Sequence, residues 1–184
     1  MKKKVICLAI LAFACIAVPA SAQNAQYCFG SPVVSCQYLA DTGLELGTAY
    51  WHYSPGSGPA IVTDPCAWGG GTTAAADLDP GDSVLQEFNT DNFPIWTVRL
   101  DLYKTSTDVT PDDFFTVRIF NSATGVTEVK TVKAGDYPGL CKSVISFVLK
   151  NDYSNTRVRV IIRKNSLATA TMYVDNVAFF GRSS

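Results

Sequence analysis

From Gln23 onward the chain alternates apolar and polar residues with a period of two, and no stretch has the 3.6-residue rhythm of an amphipathic helix. The clearest run is Ile95 to Tyr103, where Trp96, Val98, Leu100 and Leu102 share one side and Thr97, Arg99, Asp101 and Tyr103 the other. Successive strand side chains point to opposite faces, so this pattern predicts one buried and one wet face. Phe115, Val117 and Ile119 alternate with Thr116, Arg118 and Phe120. Val158, Val160 and Ile162 alternate with Arg157, Arg159 and Arg163, and Ile161 interrupts the polar side. Further strands are predicted at Ala60 to Thr63, Thr73 to Leu78, Ser83 to Phe88, Val126 to Val132, Val144 to Lys150 and Thr171 to Phe180.

The links between these runs are short. In Asp79-Pro80-Gly81-Asp82, Pro presets a φ near −65° and Gly permits a positive φ next, which predicts a type II turn closing a hairpin. Asn121 to Gly125 and Asn151 to Asn155 read as connections of the same kind, and Asp112-Asp113 after Pro111 as a solvated turn. About nine strands without crossover helices predict an all-β fold, an antiparallel β-sandwich with jelly-roll connections. Composition agrees: 13 Gly, 9 Pro, 10 Phe and 8 Tyr suit strands and turns. With 47% hydrophobic and 17% charged residues, the 184-residue chain has material for one core and is neither disordered nor collagen-like.

Residues 1–22 read as a signal peptide. Lys2, Lys3 and Lys4 precede an apolar run from Val5 to Val18, and Ala20-Ser21-Ala22 is a cleavage pattern. The run is shorter than the roughly 20 residues a spanning helix needs, so no stable membrane insertion is expected. Residues 23–40 are then an N-terminal disulfide-bearing segment and 41–184 the sandwich domain, in a secreted protein, extracellular or periplasmic. Without its three leader lysines the chain keeps 12 of 15 basic residues against 16 acidic ones, a formal net of −4. Phosphate binding needs a basic surface that this balance does not supply, so no nucleic-acid partner is expected. Cys28, Cys36, Cys66 and Cys141 remain, an even number in an oxidising compartment. Three pairings are open; the eight-position separation of Cys28 and Cys36 around Ser31-Pro32 favours that pair and leaves Cys66 to Cys141.

Catalytic chemistry finds little footing. The single histidine, His52, stands among aromatics, and no nucleophile elbow, phosphate loop or zinc motif is present. The chain is read as not an enzyme. Trp51 and Trp96 are expected in the core. Trp68, followed by three glycines, is a candidate platform for stacking a sugar ring. Arg99, Asp101 and Tyr103, with Arg118 on the polar side of its own strand, are expected to line a shallow groove with donors, an acceptor and one ring.

Three segments in order resemble the carbohydrate-binding modules with the galactose-binding-like jelly roll. Asp41-Thr42-Gly43-Leu44-Glu45-Leu46-Gly47 followed by Trp51 is similar to their opening motif, and Asp82 to Phe88 with Trp96 to Tyr103 to their middle strands. Met172-Tyr173-Val174-Asp175-Asn176-Val177 resembles their closing strand, with Asn176 where a second Asp is common. The resemblance implies a non-catalytic module binding a polysaccharide or glycan. It also implies one structural calcium ion, with Glu45 and Asp175 as carboxylate ligands. The alternative is a structural or adhesive extracellular protein whose sheet face meets another protein.

Overall fold

The computed structural model describes residues 27–29, 35–40, 50–54, 60–63 and 74–183. The predicted leader, Glu45, Cys66 and Trp68 lie outside them. Among the described residues there are twelve strands: β1 (Tyr27–Phe29), β2 (Ser35–Gln37), β3 (His52–Ser54), β4 (Ala60–Thr63), β5 (Ala74–Asp77) and β6 (Ser83–Asn89), then β7 (Ile95–Lys104), β8 (Phe114–Asn121), β9 (Thr127–Lys133), β10 (Cys141–Val148), β11 (Arg157–Lys164) and β12 (Met172–Arg182). Every predicted run is a strand, with ends displaced by up to three residues. The three strands that were not predicted, β1, β2 and β3, have three residues each, too few for alternation to register.

The strands form two antiparallel sheets. In the seven-stranded sheet, β12 pairs β7 from Met172↔Lys104 to Arg182↔Ile95, and β10 extends the sheet beyond β7. The other edge of β12 is shared: β2, from the predicted N-terminal segment, takes Phe180 to Arg182, and β5 takes Tyr173 and Val174. The five-stranded sheet has the order β3-β6-β11-β8-β9. This is the predicted jelly-roll sandwich.

One connection differs from its expectation. The Asp79–Asp82 turn forms, with the Asp82 N–H donating to the Asp79 carbonyl at 2.9 Å and Gly81 at φ +93°. It closes no hairpin, because β5 belongs to the seven-stranded sheet and β6 to the five-stranded one. The turn reverses the chain, but its partner strands are chosen by pairing elsewhere: β6 bonds β11 and β3. The 151–155 connection likewise passes from β10 to β11, in different sheets. Only Asn121 to Gly125, between β8 and β9, is a hairpin of the three, with Gly125 at φ +72°.

The core lies between the sheets. Trp51 and Trp96 are buried there, as expected, Trp96 by its strand parity, with Tyr38, Phe88, Phe115, Leu100, Val160 and Phe179. Complete burial of such side chains contributes roughly 1.5–3 kcal/mol each. Trp96 meets Tyr38, Phe93 and Phe179 at centroid separations of 5.7, 6.0 and 5.5 Å. A Cβ on Gly181 would stand 2.6 Å from Phe93 and 2.7 Å from Trp96, so the aromatic packing itself excludes a side chain there. The turn predicted to be solvated at Asp112-Asp113 is only half so. Asp112 is exposed, but Asp113 is buried and accepts from the Thr110, Thr169 and Ala170 N–H groups at 2.6–2.7 Å and from the Thr110 hydroxyl at 2.9 Å. Burial raises the Asp113 pKa, these hydrogen bonds together outweigh it, and the net is a carboxyl below the usual range.

The pair Cys28–Cys36 is disulfide-bonded, as its spacing favoured, and their Cα atoms face each other across β1 and β2. Cys141 is also disulfide-bonded. Its favoured partner, Cys66, lies outside the described residues.

Candidate functional site

The strand parity of β7 turns Thr97, Arg99, Asp101 and Tyr103 away from the core, yet the structure corrects the expectation that this face is wet. Arg99 is exposed, but Asp101 and Tyr103 are buried. Tyr103 forms a small second cluster with Ala75 and Tyr173, and its phenol is shifted upward, first by burial. Asp101 lies opposite Asp175 in the β7–β12 register. Like charges facing across strands repel, so this pair needs donors. Three come from nearby: Lys142 on β10 places its ammonium 2.6 Å from Asp101 Oδ2, and the Asn176 side-chain amide donates to Asp101 Oδ2 at 2.8 Å and to Asp175 Oδ2 at 3.2 Å. The Asn176 N–H also donates to Asp175 Oδ1 at 2.6 Å. The hydrogen bond to Asp101 is the main reason the Lys142 pKa is raised.

Asn176 reaches both carboxylates because β12 bulges there. The register steps from Asp175↔Asp101 to Ala178↔Arg99, one residue more on β12 than on β7, and Asn176 has φ +47°. A β-bulge inserts such a residue, and Asn tolerates the left-handed region better than most side chains. Asp101 Oδ1 is buried without a hydrogen-bond partner among the described residues. Two buried carboxylates, one with an unsatisfied oxygen, suit a hard cation in donor type. Among the described residues, no third acidic, His or Cys side chain joins them.

The outward face of the five-stranded sheet is built differently. The pairings Arg159↔Phe120, Ile161↔Arg118 and Arg163↔Thr116 bring β11 and β8 side chains together, with Thr127 beside Phe120 on β9. Arg118, Phe120, Thr127, Arg159 and Ile161 line a shallow depression of about 330 Å³. A second, of about 210 Å³, lies at the Thr116–Arg163 end beside Phe114 and Asn165. A third, of about 330 Å³, lies at the Arg157 end beside Asn89 and Asn155. The three follow β11 over about 20 Å, since same-face residues on a strand are about 6.7 Å apart. Arg159 lies 5.9 Å from the Phe120 ring centroid, a cation–π contact that holds the guanidinium over the ring.

Glu87, on β6, bridges both Arg157 and Arg159. Partial burial raises the Glu87 pKa, but the hydrogen bonds and charges of the two arginines outweigh it and hold the carboxyl below its usual range. Arg163 donates from Nε to the Gly81 carbonyl at 3.0 Å, and Arg118 is exposed with no hydrogen-bond or ion-pair partner among the described residues. Such a surface can offer planar donor forks, hydroxyls and one ring to a polar polymer.

The candidate ligand residues are therefore not assembled in one place. Arg118 and Arg99 belong to opposite sheets, and Asp101 and Tyr103, on the outward side of β7, are enclosed by their neighbours on β10 and β12. Sequence reasoning passed over Phe120, Thr127, Arg159 and Ile161. The signal was present in the alternation of β11 with β8, whose polar sides carry Arg at 118, 157, 159 and 163.

No family model matches the chain, and no curated protein matches its sequence. Solved structures of other proteins share its fold. TmCBM61 in complex with β-1,4-galactotriose has 15% identity and a TM-score of 0.54 over 79% of this chain and 99% of that one. The Clostridium thermocellum xylanase 10B CBM22-1-GH10 modules, complexed with xylohexaose, have 15% identity and a TM-score of 0.50 over 79% of this chain and 28% of that one. The enzymatically active domain of bacteriophage CBA120 tailspike protein 4 has 9% identity and a TM-score of 0.55 over 78% of this chain and 21% of that one. The chain thus shares the jelly-roll fold of these structures, the fold its motifs implied.

Proposed function

We propose that this is a secreted, non-catalytic module that binds a polysaccharide along the outward face of its five-stranded sheet. The observation that carries the reading is the row of depressions over β8 and β11, with Arg118, Arg159, Thr127 and the Phe120 ring at its centre. Binding of β-1,4-galactotriose by TmCBM61 and of xylohexaose by the CBM22-1-GH10 modules supports it by analogy of fold. Secretion is supported by the disulfide Cys28–Cys36, a bond kept in oxidising compartments. Among the described residues, no helix is long and apolar enough to cross a membrane.

The test is retention of the protein in native gels containing single glycans, before and after Phe120→Ala. Loss of the ring should weaken binding by about tenfold or less, since an aromatic contact contributes roughly 0.5–1.5 kcal/mol beyond its buried area, and leave the melting temperature nearly unchanged. Undiminished binding in Phe120→Ala would move the site away from this face.

A structural calcium ion belongs to the same proposal. Asp175, with Glu45 and the unsatisfied Asp101 oxygen, would hold it and so tie the closing strand to the opening segment.

A second reading, an extracellular domain that contacts another protein, is favoured by strand β10. Its Val144 and Val148 stand exposed on the sheet edge, next to exposed Leu140. Edge strands of this kind pair with other chains unless blunted, and concentration-dependent self-association abolished by Val144→Lys is the check.

A further inference from the structure

We propose that the polymer bound on β8 and β11 is an anionic glycan, one bearing carboxylates or sulfate esters. The inference rests on the reading of this face as a glycan site and names the chemistry it selects. Along β11, four successive cross-strand rows each hold one arginine: Arg163, then Arg118 on β8 opposite Ile161, then Arg159, then Arg157, which pairs Asn89 on β6. Lys133 adds a fifth cation where β9 pairs Phe114. Among the described residues the face therefore holds five of the 12 basic residues beyond the leader and one acid, Glu87. It is positive on a chain whose other residues are strongly negative.

Internal pairing does not account for these cations. Glu87 is shared by two arginines, so one carboxylate faces two guanidiniums. Arg118, Arg163 and Lys133 have no acidic partner among the described residues, and each is exposed. Unpaired like charges on neighbouring strands destabilise a sheet, so the arrangement costs stability unless a ligand neutralises it. The guanidinium fork matches carboxylate and sulfate-like oxyanions in two parallel hydrogen bonds, and a fork about every 6.7 Å suits a polymer with repeated anionic groups.

Distance decides whether the net charge of −4 opposes this. Exposed charges are screened beyond about 8 Å at physiological salt, and the opposite sheet lies about 10 Å further away, so a polymer on this face senses mainly its arginines.

The probes are polygalacturonate for carboxylates, dextran sulfate for sulfate esters, β-1,4-galactan and xylan as neutral polymers, and a single-stranded oligonucleotide as a non-glycan polyanion. Affinity is measured by titration calorimetry at about 20 and 300 mM NaCl. One of the two anionic glycans should bind at least about tenfold tighter than either neutral polymer and the oligonucleotide, with the advantage lost at high salt. Whichever it is identifies the oxyanion. Arg118→Glu should reduce that affinity at least about tenfold without altering the melting temperature, with Arg118→Gln as a milder variant, while Arg182→Glu, on the other sheet, should leave it unchanged. Neutral glycan bound at least as tightly as the anionic ones, and weakened by Phe120→Ala, overturns the inference and leaves the glycan reading standing. Equal binding of the oligonucleotide, or an effect of Arg182→Glu matching that of Arg118→Glu, overturns it as well. Failure of every glycan overturns the reading beneath it.

Discussion

On the seven-stranded sheet, the facing carboxylates of β7 and β12 are buried and capped; on the five-stranded sheet, the arginines of β8 and β11 are mostly exposed, and two of the four have no acidic partner among the described residues. The residues occupy equivalent positions of strand parity, so the difference comes from what lies beside them. Asp101 has Lys142 on one neighbouring strand and Asn176 on the other, and these consume its hydrogen-bonding capacity on Oδ2. Arg118 has Ile161 and Val129 as its cross-strand neighbours, neither of which can answer a charge. A charge answered inside the fold contributes to stability, and one left unanswered remains available to something outside it.

Substitutions can separate these two cases, beginning with the largest effect. Asp101→Ala leaves Lys142 without its carboxylate and Asn176 with Asp175 alone, and should cost about 3 kcal/mol, the low end for breaking a buried pair because Lys142 can turn to water. That corresponds to a fall in melting temperature of roughly 6–12 °C for a chain of this size, readable by calorimetry. Arg118→Ala should change stability by less than about 0.5 kcal/mol, and comparable losses from the two variants would erase the distinction between the faces.

Calcium bears on the closed face alone. At about 100-fold excess over its Kd, an ion bound only to the folded state adds roughly 2.7 kcal/mol, and Asp175→Asn should abolish that gain. A melting temperature equal in calcium and in chelator would mean that Lys142 and Asn176 already serve the two carboxylates in place of a metal.

Acid should act on the five-stranded sheet and on the turn before β8. The carboxyls of Glu87, Glu128 and Asp113 are held below their ordinary values against the effect of burial, by arginine, lysine or N–H partners. A depressed folded-state pKa means the unfolded chain binds the proton first, so the stabilisation is complete above the unfolded values near 4 and is lost as pH falls through the lower folded values. Stability measured in urea should be level above about pH 5 and decline below about pH 4. An increase in that acid range would reverse the assignment.

Glu87→Gln is a mild change. It removes a surface bridge worth about 1 kcal/mol or less and frees Arg157 and Arg159. A small loss of stability with tighter binding to an anionic polymer is expected. Weaker binding would show that Glu87 orients the two arginines rather than competing for them.

Alternation made β6, β8, β9 and β11 legible before any coordinates, because each of these strands buries one side and leaves the other partly exposed, whereas β12 is buried on both sides. It could not register three-residue strands, and it did not show that Asp79-Pro80-Gly81-Asp82 carries the chain from one sheet to the other. Turn chemistry is local, whereas sheet membership depends on which distant strand supplies hydrogen bonds. The same limit shaped the site. Parity placed Asp101 and Arg118 both on polar sides, but their enclosure depends on neighbours such as Lys142, which is remote from Asp101 in sequence. The row of arginines was readable only once β8 and β11 were known to be adjacent.

The burial of Trp51 and Trp96 has a consequence for how binding can be observed. Both indoles are held in the core away from the outward faces, so a polymer lying on β8 and β11 touches neither and should leave their emission unchanged. Of the three tryptophans in the chain, that leaves Trp68 as the natural reporter. A shift in intrinsic fluorescence on adding a glycan would therefore locate a contact near the glycine run, and a silent titration accompanied by calorimetric heat would locate it on the arginines.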